Sequence, residues 1–184
     1  LEALYKNIHQ EIIDQCRQGN EKAQFQLYKL YYKAMYSVSL RILNDEMEAE
    51  DVMQEAFLKA FSKINTYKGE VSFGAWLKKI VVNRSLDELK KRKVQFEEIN
   101  EQNSQIADYQ METKEADIRA IKRAIQNLPD GYRVVLSLYL IEGYDHDEIS
   151  QILGISNSAS RTQLLRAKNK LREHLQDKEI FSYN

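Results

Sequence analysis

The chain carries one cysteine (Cys16), one proline (Pro129) and six glycines in 184 residues. A single cysteine rules out an internal disulfide, and its amphipathic setting beside Ile12 and Ile13 reads as a buried structural thiol. Scarce proline and glycine, with apolar residues recurring every three or four positions, argue for helices and against sheets, so the expected fold class is all-α. No run approaches the roughly 18 consecutive apolar residues of a membrane span. The amino terminus also lacks the charged, apolar, then small layout of a signal peptide, so a cytoplasmic location without membrane insertion is expected. His9, His146 and His174 are scattered with no second ligand at metal spacing, which gives no reason to expect a metal or other cofactor. No glycine loop suited to phosphate and no nucleophile beside a base is present, so the chain is not expected to be an enzyme.

What is abundant is charge, at 30% of residues, which limits any core and favours two small domains over one large one. The formal net charge of −1 conceals an uneven distribution. From Asn157 to Arg172 there are Arg161, Arg166, Lys168, Lys170 and Arg172 and no acid, and Lys90 to Lys93 form a second basic run. Acids gather in Glu46 to Glu55 and from Glu97 to Asp117.

Periodicity divides the chain into residues 1–93, a polar linker over 94–113, and residues 114–184. A first helix is expected over Ile8 to Arg17, stopped at Gly19, and Asn20 caps a long second helix reaching Leu43. Phe25, Tyr28, Tyr31, Tyr32, Met35, Val38 and Ile42 are its expected interior. Asn44 or Asp45 caps a third helix whose first turns are acidic, in keeping with the helix dipole. Its apolar rows leave Asp51, Gln54, Glu55 and Lys59 pointing outward. After a break at residues 65–71, Ser72 caps a fourth helix with Phe73, Trp76 or Leu77, Ile80, Val81 and Leu86 inward. In the second half, Ile118, Ile121, Ile125 and Leu128 share a face, Pro129 marks a boundary, and a helix follows over Tyr132 to Ile141.

Two helices then sit about three residues apart. Asp145 caps Glu148 to Leu153, Gly154-Ile-Ser156 turns, and the last helix runs from Asn157 to about Leu175. Short helices joined through glycine and followed by basic residues form a helix-turn-helix pattern, whose second helix enters the DNA major groove. Ser160, Leu164, Ala167 and Leu171 form the inward stripe of that helix, and Asn157, Ser158, Arg161, Thr162 and Leu165 lie on or near the opposite face. Arg161 is the first candidate for a bidentate contact to guanine. Arg166, Lys168, Lys170 and Arg172 suit phosphates, which position without specifying.

Nearly the whole chain resembles the extracytoplasmic-function sigma factors of bacterial RNA polymerase. Glu50-Asp-Val-Met-Gln-Glu-Ala-Phe57, Tyr67-Lys-Gly69 and Ser72-Phe-Gly-Ala-Trp-Leu77 through Asn83 are similar to their second conserved domain. Leu128-Pro129 through Gly143, Glu148-Ile149 and Leu153-Gly-Ile-Ser156 are similar to their fourth, in the same order and spacing. The resemblance implies that Asp51, Gln54, Glu55 and Lys59 dock on the polymerase clamp. It also implies that the loop and helix carrying Tyr67, Lys68, Gly69, Trp76, Lys79, Asn83 and Arg84 take the melted minus-ten element. The last helix, with Asn157, Ser158, Arg161, Thr162, Leu165, Arg166 and Lys168, would read the minus-thirty-five duplex. The implied partners are the polymerase core at clamp and flap, promoter DNA as duplex and as melted strand, and an anti-sigma factor. The family usually has alanine and valine where this chain has Ser150 and Ser160, and often a basic residue where it has Gln163. Buried hydroxyls there need partners, either each other or the carbonyl one turn back.

Two other readings remain open on the residues alone. A helix-turn-helix regulator with an amino-terminal sensory bundle would bind duplex DNA unaided. An adaptor using the acidic helix would bind no nucleic acid and leave the acid-free helix from Asn157 without a purpose.

Overall fold

A computed structural model of the chain describes residues 8–92 and 114–181. The expected linker over 94–113 lies outside the described residues. The chain divides into two compact units, Leu1–Arg92 and Lys93–Asn184, and every described element is a helix, as expected of an all-α chain.

The first unit contains α1 (Gln10–Arg17), α2 (Glu21–Leu43), α3 (Glu46–Ser62), a 3-10 turn (Ile64–Thr66) and α4 (Phe73–Lys91). Local side chains start the helices. Asn20 accepts from Ala23 N, Asp45 from Glu48 N and Ser72 from Ala75 N, each satisfying a donor that the first turn leaves open. Asn44 closes α2 in the left-handed region at φ 55°, so Asn44 ends one helix and Asp45 begins the next.

α2 packs against α1, α3 and α4, so three partners claim its surface. Its buried residues are Ala23, Leu27, Met35, Val38, Ser39, Ile42 and Leu43, whereas Tyr28, Tyr31 and Tyr32 are half-buried and Phe25 is 60% exposed. The aromatic stripe is thus a margin of the core rather than its centre. In α4, Leu77 takes the interior and Trp76 is half-buried. Ile80 is also half-buried, and Val82, Ser85 and Leu89 join Phe73, Val81 and Leu86 inside. The Ser39 and Ser85 hydroxyls are hydrogen-bonded at 3.0 Å in that interior, and Ser85 also donates to the Val81 carbonyl. A paired buried hydroxyl costs little where an orphan would cost about 1–3 kcal/mol.

The second unit holds α5 (Lys114–Gln126), α6 (Asp130–Leu140), α7 (His146–Leu153) and α8 (Asn157–Phe181). α6 is its hub, with Tyr132 to Leu138 continuously buried and α7 and α8 packed on it. The face expected of α5 is only partly used: Leu128 is buried and Ile125 half-buried, while Ile118 and Ile121 stay 57% and 42% exposed. A helical stripe shows which residues share a face but not how far along the helix a partner extends.

Candidate nucleic-acid interface

In the second unit the helix-turn-helix is built from α7 and α8. Asp145 and Glu148 form a reciprocal capping box at the start of α7. Gly154 ends α7 at φ 70°, and the N–H groups of Gly154 and Ile155 both return to the Ser150 carbonyl. The Ser156 hydroxyl then accepts from Ala159 N in the first turn of α8. Ile149 and Leu153 from α7 are buried with Ile155, Ser160, Leu164 and Ala167.

This crossing turns the opposite side of α8 to solvent. Ser158, Arg161, Thr162, Leu165 and Arg166 are exposed, and Asn157 and Lys168 are half-buried. Arg161 does not hang free: its Nε donates to Asn157 Oδ1 at 2.7 Å, and Asn157 Nδ2 donates to Asp147 Oδ1 at 2.6 Å. Thr162 bonds back to the Ser158 carbonyl, and Lys168 Nζ lies 5.8 Å from the centre of the Tyr139 ring. Gln163 is buried rather than on the open face.

The two serines that depart from the family pattern do not pair with each other. Ser150 is half-buried and donates to the Asp147 carbonyl at 2.7 Å. Ser160 is fully buried, and its hydroxyl lies 2.9 Å from His146 Nδ1. The His146 ring stacks on Tyr139 at 4.6 Å. Burial, then Arg161 and Lys168, push the His146 pKa below the usual 6.5, against an opposing pull from Asp145 and Asp147. Sequence reading missed His146 and Asp147 as site residues. They sit on α7 and act on α8 across the turn, and the only signal was their place at a helix start.

In the first unit, Asp51, Gln54, Glu55 and Lys59 are all exposed on α3. Met47 and Leu58, at 79% and 70% exposure, share the face of Asp51 and Gln54 at helical spacing, giving a polar strip with an apolar residue at each end. Glu55 forms an ion pair with Arg84 of α4, so Arg84 faces α3 rather than standing beside the loop as a free phosphate ligand. The loop before α4 also differs from expectation. Tyr67 is 2% exposed, its hydroxyl donates to the Val71 carbonyl at 2.6 Å, and its ring packs against Phe73 and Trp76. Burial therefore makes Tyr67 the floor of the loop and withdraws its ring as an open stacking surface. Lys68 is exposed, and Gly69 turns the chain at φ 79°. Trp76, Lys79 and Asn83, at i, i+3 and i+7, present one partly open face of α4. Among the described residues no cluster of three or more His, Cys, Asp or Glu side chains could hold a metal ion, and no helix is long and apolar enough to cross a membrane.

Residues 27–94 match the family Sigma-70 region 2, and residues 118–171 match Sigma-70, region 4. The chain is 29% identical over 179 residues to the ECF RNA polymerase sigma factor SigW of Bacillus subtilis, covering 90% of this chain and 95% of that one. It is 25% identical over 180 residues to the RNA polymerase sigma-H factor of Pseudomonas aeruginosa, covering 91% and 93%. Among solved structures, the sigma factor RpoE in complex with the anti-sigma factor NepR from Bartonella quintana shares the fold with a TM-score of 0.56 at 22% identity, over 82% of this chain and 95% of that one. CnrH in complex with the cytosolic domain of CnrY does so with a TM-score of 0.54 at 22% identity, over 90% and 96%. Both described units are thereby accounted for, and the chain belongs to the extracytoplasmic-function group of the sigma-70 family, the factors that direct RNA polymerase to promoters.

Proposed function

We propose that the two units divide promoter recognition between them. α8 enters the major groove of the minus-thirty-five element, with Arg161 reading a base edge and Arg166 and Lys168 meeting phosphates. The observation that carries this is the exposed face of α8 over residues 157–172, which holds no acid and on which Arg161 is held in place by Asn157. A guanidinium already oriented loses less freedom on binding than a free one.

The first unit takes the minus-ten element as it melts. Gly69, Trp76, Lys79 and Asn83 offer a turn, an indole face, a cation and an amide along one surface, which suits an unstacked base and its phosphates. Tyr67 supports that surface from below, and Arg84 takes part through its partner Glu55. The α3 strip of Asp51, Gln54, Glu55 and Lys59 docks on the polymerase clamp. Its carboxylates suit a basic partner, and Met47 and Leu58 supply apolar contact. The flap would receive the second unit. The chain works in the cytoplasm without bond chemistry of its own, and an anti-sigma factor holds it in reserve, a partner class supported by RpoE, which shares its fold and is in complex with the anti-sigma factor NepR. A regulator acting alone would leave the match of the first unit without a use.

Reconstitution with bacterial core polymerase on a promoter library tests the reading. Transcript starts that require this chain and share two upstream elements are expected. If a homologous core yields no such starts while the chain alone shifts duplex DNA, the sigma assignment of these surfaces is wrong.

A further inference from the structure

We infer that His146 is a positioning residue for promoter recognition: the neutral imidazole pins the first turns of α8 to α7 through Ser160, and protonation releases that pin. The inference rests on the proposed role of α8 in reading the upstream element.

The geometry sets the protonation state. Ser160 is wholly buried, and among the described residues His146 Nδ1 is the one hydrogen-bond partner of its hydroxyl. The Ser156 carbonyl one turn back receives the Ser160 N–H at 3.0 Å and no bond from its hydroxyl. The hydroxyl hydrogen therefore needs Nδ1 as acceptor, which places the ring proton on Nε2. Adding a proton at Nδ1 turns the acceptor into a donor and orphans a buried hydroxyl hydrogen.

Charge acts in the same direction. Tyr139 of α6 covers one face of the ring, and Arg161 and Lys168 of α8 are the cations that oppose protonation. Asp145 and Asp147 at the start of α7 favour it, but burial and the two cations prevail. A folded-state pKa below 6.5 means that the pin contributes its full stability above that pH and loses it as the pH falls through the folded value.

The consequence for DNA is selective. Arg161 can read a base edge only if α8 is seated to within a fraction of an ångström, whereas Arg166 and Lys168 reach phosphates from a loosened helix as well. Mild acid should therefore erode discrimination before it erodes general affinity.

The test uses the full chain assembled with core polymerase. Promoter DNA recovered from the reconstitution is compared with the same DNA carrying a scrambled upstream element, from pH 7.5 to 5.5. The ratio of the two affinities should fall about fivefold for the wild type, the low end of what an orphaned buried donor costs. His146→Asn keeps an uncharged acceptor near the Nδ1 position, and its ratio should stay flat. Parallel behaviour of wild type and variant overturns the inference. Long-range proton–nitrogen correlation of the His146 ring in the full chain decides independently of DNA. The Nε2–H tautomer with a midpoint below 6.5 supports the pin, and the Nδ1–H tautomer or a midpoint at or above 6.5 overturns it. Failure to select any promoter at pH 7.5 would count against the sigma reading instead, and the ring titration would then decide the pin alone.

Discussion

The Asp147 carboxylate, in the first turn of α7, receives a 2.6 Å hydrogen bond from the side chain of Asn157, the first residue of α8. The same Asn157 amide accepts from Arg161, so an acid on the supporting helix sets the direction of the proposed base-reading guanidinium. Asn157→Ala should leave the fold intact and free Arg161. The expected result is a loss of about fivefold to tenfold for DNA with the intact upstream element, within the 1–3 kcal/mol of a good bidentate contact. Scrambled DNA should lose less than about twofold, because phosphate contacts carry nonspecific binding. Lys168→Ala should behave oppositely, weakening both DNAs alike and lowering the salt slope by about one. Equal losses on both DNAs in both variants would end this division of labour.

The Glu55–Arg84 ion pair joins a residue proposed for the clamp to one on the helix proposed for the minus-ten strand. Its side chains are 56% and 26% exposed, so the pair contributes at most about 1 kcal/mol to folding. Glu55→Ala should therefore shift thermal unfolding of the first unit by no more than about 8 °C, while core polymerase affinity drops severalfold. A large loss of stability with unchanged core affinity would make Glu55 a structural residue only.

Helix starts were the most legible part of the sequence. Asn20, Asp45, Ser72 and Asp145 cap where their residue types indicated, because a cap is decided within about one turn of chain. The outward set of α8 was legible for the same reason: the turn after Gly154 fixes which side faces α7. Phe25, Trp76, Ile118 and Ile121 were harder. Periodicity groups each with true core residues, but exposure depends on how far a packing partner extends. The bond between His146 and Ser160 and the pair of Glu55 with Arg84 link different helices. No local pattern announces such a contact, so these parts of the site required the fold.

Gly154 adopts φ 70° at the turn of the helix-turn-helix, and a Cβ built there meets nothing within 4 Å. Backbone strain alone thus opposes substitution, at about 1–2 kcal/mol for an L residue held left-handed. Gly154→Ala should lower the unfolding midpoint of the chain in denaturant, and Gly154→Asn, which tolerates that region better, should lower it less. Equal effects of the two substitutions would show that the turn relaxes into another conformation.

Arg133 is 2% exposed, yet it carries a full charge in the hub of the second unit. It donates to the Leu128 carbonyl at 3.1 Å and pairs with Asp130 at 2.5 Å, bracing the bend around Pro129 at the start of α6. Asp130 is 34% exposed and remains hydrated if its partner is lost, so the penalty for Arg133→Met sits near the lower end of the range for breaking a buried pair, about 3 kcal/mol. Lysine should not rescue it. A single ammonium lacks the planar fork that reaches a carbonyl and a carboxylate at once, and a compact charge is costlier to bury. Arg133→Lys is therefore expected to unfold in denaturant close to Arg133→Met. Wild-type-like stability in Arg133→Lys would show that charge alone, without the forked geometry, holds the bend.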